Sequence, residues 1–127
     1  MTKKIELNII PMGAVRMSQR DQWPGTRTKR AQTYFDYKDV LFVEARDKGF
    51  VLEEVLPFMV FVLPMPKSWS KKKKALMYGQ KHQSRPDLDN MIKGFKDALA
   101  KEDSFVWKYA GAEKRWGDTG KIVIHQE

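Results

Sequence analysis

The chain contains no cysteine, so it has no disulfide framework, thiolate metal site or thiol nucleophile. Histidine is scarce. His82 and His125 are the only two in 127 residues, and zinc, which prefers nitrogen and sulfur ligands, is a poor fit. Any bound metal must rest on carboxylate oxygens, which suits Mg²⁺ or Mn²⁺. Long apolar runs are also missing. The longest, Val55 to Pro66, falls short of the ~20 residues of a membrane span. The opening Met-Thr-Lys-Lys-Ile-Glu-Leu lacks the apolar stretch of a signal peptide. The expectation is a cytoplasmic protein with no membrane partner and no nucleotide cofactor.

What is present suits one domain spanning residues 1–127. Hydrophobic residues make up 42% of the chain, with four Trp, four Tyr and seven Phe, enough to build a core. The net charge is +8, unevenly placed. Residues 1–30 carry seven Lys/Arg against two Asp/Glu, and residues 65–101 carry ten against three. Residues 33–54 reverse the balance, with three against six. Two basic segments of this kind are the footprint of a polyanion partner, DNA or RNA.

Ile5, Leu7 and Ile9 alternate with Glu6 and Asn8, a half-buried strand. Residues 13–32 form a long basic loop with Arg16, Arg20, Arg27, Lys29 and Arg30, and loops of this length tend to be functional or disordered. Thr33 is placed to cap a helix running to about Lys48, with Tyr34, Tyr37, Leu41 and Ala45 on its core face. Val55 to Leu63 reads as a strand buried on both faces. Ser70 caps a short helix, Lys71 to Tyr78, closed by Gly79. Phe105 to Lys114 and Lys121 to His125 read as strands joined through Gly117-Asp118-Thr119-Gly120 in a hairpin. The fold class expected is α/β (α+β): a small mixed β-sheet with two main helices packed on one face.

The most informative stretch is Arg85-Pro86-Asp87-Leu88-Asp89-Asn90-Met91-Ile92-Lys93. Behind it, Leu88, Met91, Ile92, Phe95, Ala98 and Leu99 fall within an arc of roughly 120° at ~100° per residue. This is one apolar face of a helix. Asp89, Asn90, Lys93, Lys96 and Asp97 take the other, with Gly94 between. Two readings of Asp87 and Asp89 stand. Either one caps the helix while the other complements its dipole, or both converge on a cation. Convergence requires Asp87 and Leu88 to be extended and the helix to begin near Asp89. A calcium loop of the EF-hand kind is excluded, since Ile92 and Ala98 occupy the positions that need Gly and Glu.

Lys93 lies four residues after Asp89 and four before Asp97. It either joins an ion-pair ladder or brings its ammonium beside the metal to stabilise developing charge. A third carboxylate is expected from a neighbouring element, with Asp103 the first candidate and Glu102 the second. Lys71, Lys72, Lys73 and Lys74, flanked by Trp69 and Tyr78, are either a solvated helix face or a phosphate-backbone contact. Lys81, Arg85, Arg16 and Arg20 extend that basic surface. His82 reads as a surface histidine and His125 as structural.

Taken together, these residues resemble the RusA-like endodeoxyribonucleases that resolve Holliday junctions. The likeness is carried by Arg85 to Lys93 and continues through Phe95-Lys96-Asp97-Ala98-Leu99. Upstream, Met65-Pro66-Lys67-Ser68-Trp69-Ser70 with its following lysines, and Ile10-Pro11-Met12-Gly13, are also similar. The resemblance implies that Asp87 and Asp89 bind the catalytic metal, that Lys93 supports catalysis and that Asp103 is the third aspartate. The connection from Leu99 to Glu102-Asp103 is shorter than is usual in the family. It further implies a homodimer of mixed α/β subunits, Mg²⁺ with Mn²⁺ able to substitute, and a four-way DNA junction as substrate. Two other readings remain open at this point. One is a nucleic-acid-binding module without catalysis. The other is a nuclease for other branched DNA.

Overall fold

The computed structural model describes residues 3–126. Four strands form a mixed sheet: β1 (Lys3–Leu7), β3 (Phe58–Pro64), β5 (Ala112–Gly117) and β6 (Lys121–Gln126), in the order β1-β6-β3-β5. β6 runs antiparallel to both β1 and β3, whereas β5 runs parallel to β3. A second, two-stranded parallel ladder joins β2 (Val55–Leu56) to β4 (Lys108–Tyr109). The helices are α1 (Lys29–Asp47), α2 (Lys71–Met77) and α3 (Leu88–Leu99). Among the described residues no helix is long and apolar enough to cross a membrane.

Register places one apolar layer on one face of the sheet. Ile5 and Leu7 sit opposite Ile124 and Ile122, which sit opposite Met59 and Phe61. All six are buried in one cluster with Tyr34, Tyr37 and Leu41 of α1 and Met91 and Phe95 of α3. Alternate residues of a strand share a face, so this one layer seats both long helices. Removing a fully buried ring such as Phe95 costs ~3–5 kcal/mol.

Several expectations need correction. α1 begins at Lys29, because Thr28 rather than Thr33 accepts the capping bond, from the Ala31 N–H at 3.1 Å. Thr33 lies inside the helix, its hydroxyl bonded back to the Lys29 carbonyl. The long strand of Val55 to Leu63 breaks at Pro57, and only alternate residues of β3 are buried. Its second face, where Val60 and Val62 lie opposite Val123 and Lys121, is half-exposed. The expected final hairpin does not form. β3 lies between β5 and β6, so the Gly117–Gly120 turn carries the chain across the end of β3. The Phe105–Lys114 strand is likewise two pieces. Gly111, at φ 142°, turns the chain from the small ladder into the main sheet, a backbone region that favours glycine.

The basic segment 13–32 is folded, with short 3₁₀ turns at Gln19–Gln22 and Pro24–Thr26. Asp21, 4% exposed, holds it together. One carboxylate oxygen accepts the Ser18 N–H and hydroxyl at 2.9 and 3.0 Å, and the other accepts the Thr28 N–H at 3.0 Å. These donors, the Ser18 and Thr28 N–H groups first, hold the Asp21 carboxyl below its ordinary value of 3.8. The unfolded chain then binds the proton more readily. Asp21 therefore stabilises the fold above the ordinary carboxylate range, and this contribution fades as pH falls through the lower folded value. Asp21→Asn is expected to lower Tm at neutral pH. The gap from wild type should narrow as pH falls below the ordinary carboxylate range. Thermal melts at stepped pH check this, and a gap independent of pH would count against it.

Gly94 is buried, not between the faces of α3 as its phase suggested. A Cβ there would meet the Met12 carbonyl oxygen at 3.2 Å, the Ala14 nitrogen at 3.5 Å and the Tyr34 ring at 3.6 Å. The segment entering the basic loop thus lies directly on α3, and the Ala14 N–H donates to the Asn90 carbonyl at 3.0 Å. Gly94→Val is expected to cost about 1–3 kcal/mol in urea unfolding by forcing these apart.

Candidate active site

Asp87 stands at the head of α3 in extended conformation, φ −66° and ψ 145°, and its side chain makes no capping bond. The helix starts at Leu88, one residue earlier than convergence of the two aspartates requires, so Asp89 already lies in the first turn. Asp89 and Asp87 line two neighbouring grooves. Asp89, Lys93 and Asp103 line a groove of about 500 Å³ with Lys96, Trp107 and Lys108. Asp87 lines a neighbouring groove of about 520 Å³ with Arg30, Arg85 and Asn90. Among the described residues no three His, Asp or Glu side chains are gathered as a ready-made ion cage.

The remaining acids sort themselves by partner. Asp103 is 3.5 Å from the Lys96 ammonium. Glu102 is not in the groove, and its carboxylate accepts the N–H of Ser104, in its own loop. Asp97 accepts the Tyr34 hydroxyl at 3.0 Å. Burial, and then the Asp97 charge, raise that phenol well above its ordinary value. The Asp89–Lys93–Asp97 ladder is therefore not formed, and Lys93 keeps its ammonium exposed at the groove. Asp87 and Asp89 form no ion pairs among the described residues, and Asp89 accepts only the Asn90 N–H. Free carboxylate oxygens are the donor set a hard divalent cation takes, so these residues fit such an ion.

The segment leading into Asp87 is fixed from the sheet. Lys114 of β5 donates to the carbonyls of Ser84 and Pro86, both at 2.7 Å. Beside it, residues 79–82 run along the outer edge of β5. The N–H groups of Gly79 and His82 reach the carbonyls of Trp116 and Lys114, and the Trp116 N–H reaches Gln80. His82 is accordingly buried at 5% exposure, not a surface residue. Its ring lies 4.0 Å from that of Trp116, and its Nδ1 accepts the Ser84 N–H at 3.3 Å. Burial, then the nearby Lys114 charge, keep it below its ordinary 6.5. Lys114 and His82 are the positioning residues that sequence reasoning missed. The alternation of β5 placed Lys114 on a strand, but nothing local showed which carbonyls it reaches.

The other basic residues sit where a polyanion can meet them. Lys71, Lys72, Lys73, Lys81, Arg85, Arg16 and Arg20 are exposed, and Lys74 is half-buried. Ser70 caps α2 by accepting the Lys73 N–H, and the Lys73 ammonium lies 4.2 Å from the centre of the Trp69 ring. Arg20 is partly committed to its own loop through the Thr26 carbonyl. His125 packs against Phe58 at 5.7 Å.

Aspartates and lysines at a helix head, beside exposed basic residues, are groups suited to binding a phosphate ester and its counterion. The sequence profile of the family described as Endodeoxyribonuclease RusA matches residues 8–126. The chain belongs to this family and is a nuclease of the endodeoxyribonuclease class. No curated protein and no solved structure was found to match it.

Lys114→Met should lower nuclease turnover by roughly ten- to a hundredfold through loss of positioning. KM for DNA should change little, because the exposed lysines remain. Steady-state kinetics beside a thermal melt would check this. A fall in Tm with turnover intact would leave Lys114 a purely structural residue.

Proposed function

We propose that this protein is a divalent-metal-dependent endonuclease that resolves four-way DNA junctions by paired, symmetric nicks, acting as a homodimer. The observation that carries the reading is the head of α3. Two aspartates free of ion pairs stand there, Asp89 sharing a groove with Lys93 and Asp103, in a chain whose family is Endodeoxyribonuclease RusA. Asp89 and Asp103, across one groove, would hold Mg²⁺ or Mn²⁺, and Asp87 would have to turn toward them from the neighbouring groove. When bound, such an ion polarises the phosphoryl oxygen and makes water a better nucleophile.

The chain's own residues do the rest. Lys93 offers an exposed ammonium to charge developing on the phosphate. Lys96 partly neutralises Asp103 at 3.5 Å, which eases the approach of a phosphate to the acidic side of the groove. Arg30 and Arg85 flank Asp87 in the second groove, where they can hold the adjacent backbone. The lysines of α2, Lys81, Arg16 and Arg20 bind phosphates without reading sequence. A two-fold enzyme matches a substrate that must be cut twice, symmetrically.

The test compares a labelled four-way junction with a linear duplex of the same sequence, in Mg²⁺ or EDTA, for wild type and Asp89→Asn. Paired Mg²⁺-dependent nicks confined to the junction are expected. Asp89→Asn should reduce them at least a hundredfold while keeping junction binding. Binding without cutting in Mg²⁺ or Mn²⁺ would make the protein a binding module. Equal cutting of flaps or forks in competition would make the four-way junction one branched substrate among several.

A further inference from the structure

We propose that Trp107 is the branch-point sensor of this protein. Its indole would stack on a base that has lost its neighbour beside the cleaved phosphate. The inference rests on the nuclease reading of the same groove and adds what selects the substrate.

Four observations carry it. First, Trp107 lines the groove that holds Asp89, Lys93 and Asp103. Second, it is 69% exposed, the most exposed tryptophan in the chain, and Tyr109, two residues on, is 58% exposed and lines the same groove. Neither ring is spent on the core. Third, the backbone that carries them is fixed. The Trp107 N–H donates to the Glu54 carbonyl at 3.0 Å and the Ala110 N–H to Leu56 at 2.9 Å. Val55 and Leu56 pair with Lys108 and Tyr109. A ring on a fixed strand gives up little freedom when it binds. Fourth, Lys93, Lys96 and Lys108 line the same groove. Against Asp89 and Asp103 these three cations leave the lining net positive, which with the two rings suits an anionic occupant with flat π faces, as a nucleic acid is.

An intact duplex cannot use these rings, because each base is already covered by its neighbours. At an open branch point, as in EDTA or when the protein holds the arms apart, the stack is interrupted and a base face becomes available. Stacking on an aromatic side chain then rewards branched DNA alone and is tolerant of base identity. Phosphate contacts fix register on either DNA, and stacking adds the term that only an uncovered base can supply.

The experiment measures binding of a fluorescent four-way junction and a linear duplex in EDTA, for wild type, Trp107→Ala and Trp107→Phe. Junction affinity is expected to fall about tenfold or more in Trp107→Ala, with duplex affinity within about twofold of wild type. Trp107→Phe should recover most of the loss. A junction carrying 5-iododeoxyuridine at the branch point should cross-link to residue 107 on irradiation. Unchanged junction affinity, equal losses on both DNAs, or a cross-link mapping elsewhere would overturn the proposal. So would conversion of a wild-type dimer to a folded monomer by Trp107→Ala in light scattering, which would assign the ring to a subunit contact. If wild type binds the junction but does not cut it in Mg²⁺, the resolvase reading fails, while the binding and cross-linking arms still decide the role of Trp107.

Discussion

The position of the site depends on one side chain, Lys114. It reaches from β5 to two carbonyls, those of Ser84 and Pro86, at 2.7 Å. The next residue is Asp87. Carbonyls bonded to an ammonium are worth more than neutral pairs, and two of them fix direction as well as distance. The parallel ladder of β3 and β5 sets where Lys114 stands, and Lys114 sets where the chain enters α3. A carboxylate at a helix head is thereby tied to the sheet rather than left at the end of a loop. The buried His82 ring, packed on Trp116 two residues from Lys114, closes the same corner.

The second support comes from the N-terminal side. Asp21 gathers the turns of the basic segment. Residues 12–14 lie against Gly94, close enough that a Cβ there would press on the Met12 carbonyl. The first turn of α3 is therefore held between two independent segments. Residues 84–86 come from the sheet side, and residues 12–15 bring their neighbouring arginines. Both segments wall the groove of Asp87, whereas the groove of Asp89 is walled by Leu56, Asp103 and Val106 to Tyr109.

How much of this could be read in advance follows from range. The apolar face of α3 and the Tyr34-Tyr37-Leu41-Ala45 phase of α1 are intrahelical properties, and both were legible. So was Ser70 as the cap of α2, since capping involves a residue three positions on. The start of α1 was misplaced because Thr28 and Thr33 are equally good caps on paper, and the choice fell to Asp21, which takes the Thr28 N–H. The final hairpin was misread because Gly117-Asp118-Thr119-Gly120 is a competent turn whether its strands pair or flank a third. Only the apolar alternation of β3 against Ile122 and Ile124 decides between them. Asp97 seemed free to pair with Lys93 until Tyr34, 63 residues away, claimed it. Each miss lies in tertiary pairing, where local pattern holds no information.

That last exchange shapes the chemistry of the groove. With Asp97 engaged by Tyr34, Lys93 faces one acid fewer on its own helix. With Lys96 drawn to Asp103, the nearer of the two loop acids carries a countercharge before any ligand arrives. The groove therefore presents Asp89 as its unpaired carboxylate, beside Lys93 and Lys108 as cations without an ion pair among the described residues. A phosphate diester bears one negative charge and approaches such a set only if something offsets Asp89. A divalent cation does so and leaves a net positive charge at the phosphate. Under the proposed function, affinity for DNA in this cleft and affinity for the ion should thus reinforce each other, each lowering the electrostatic cost of the other.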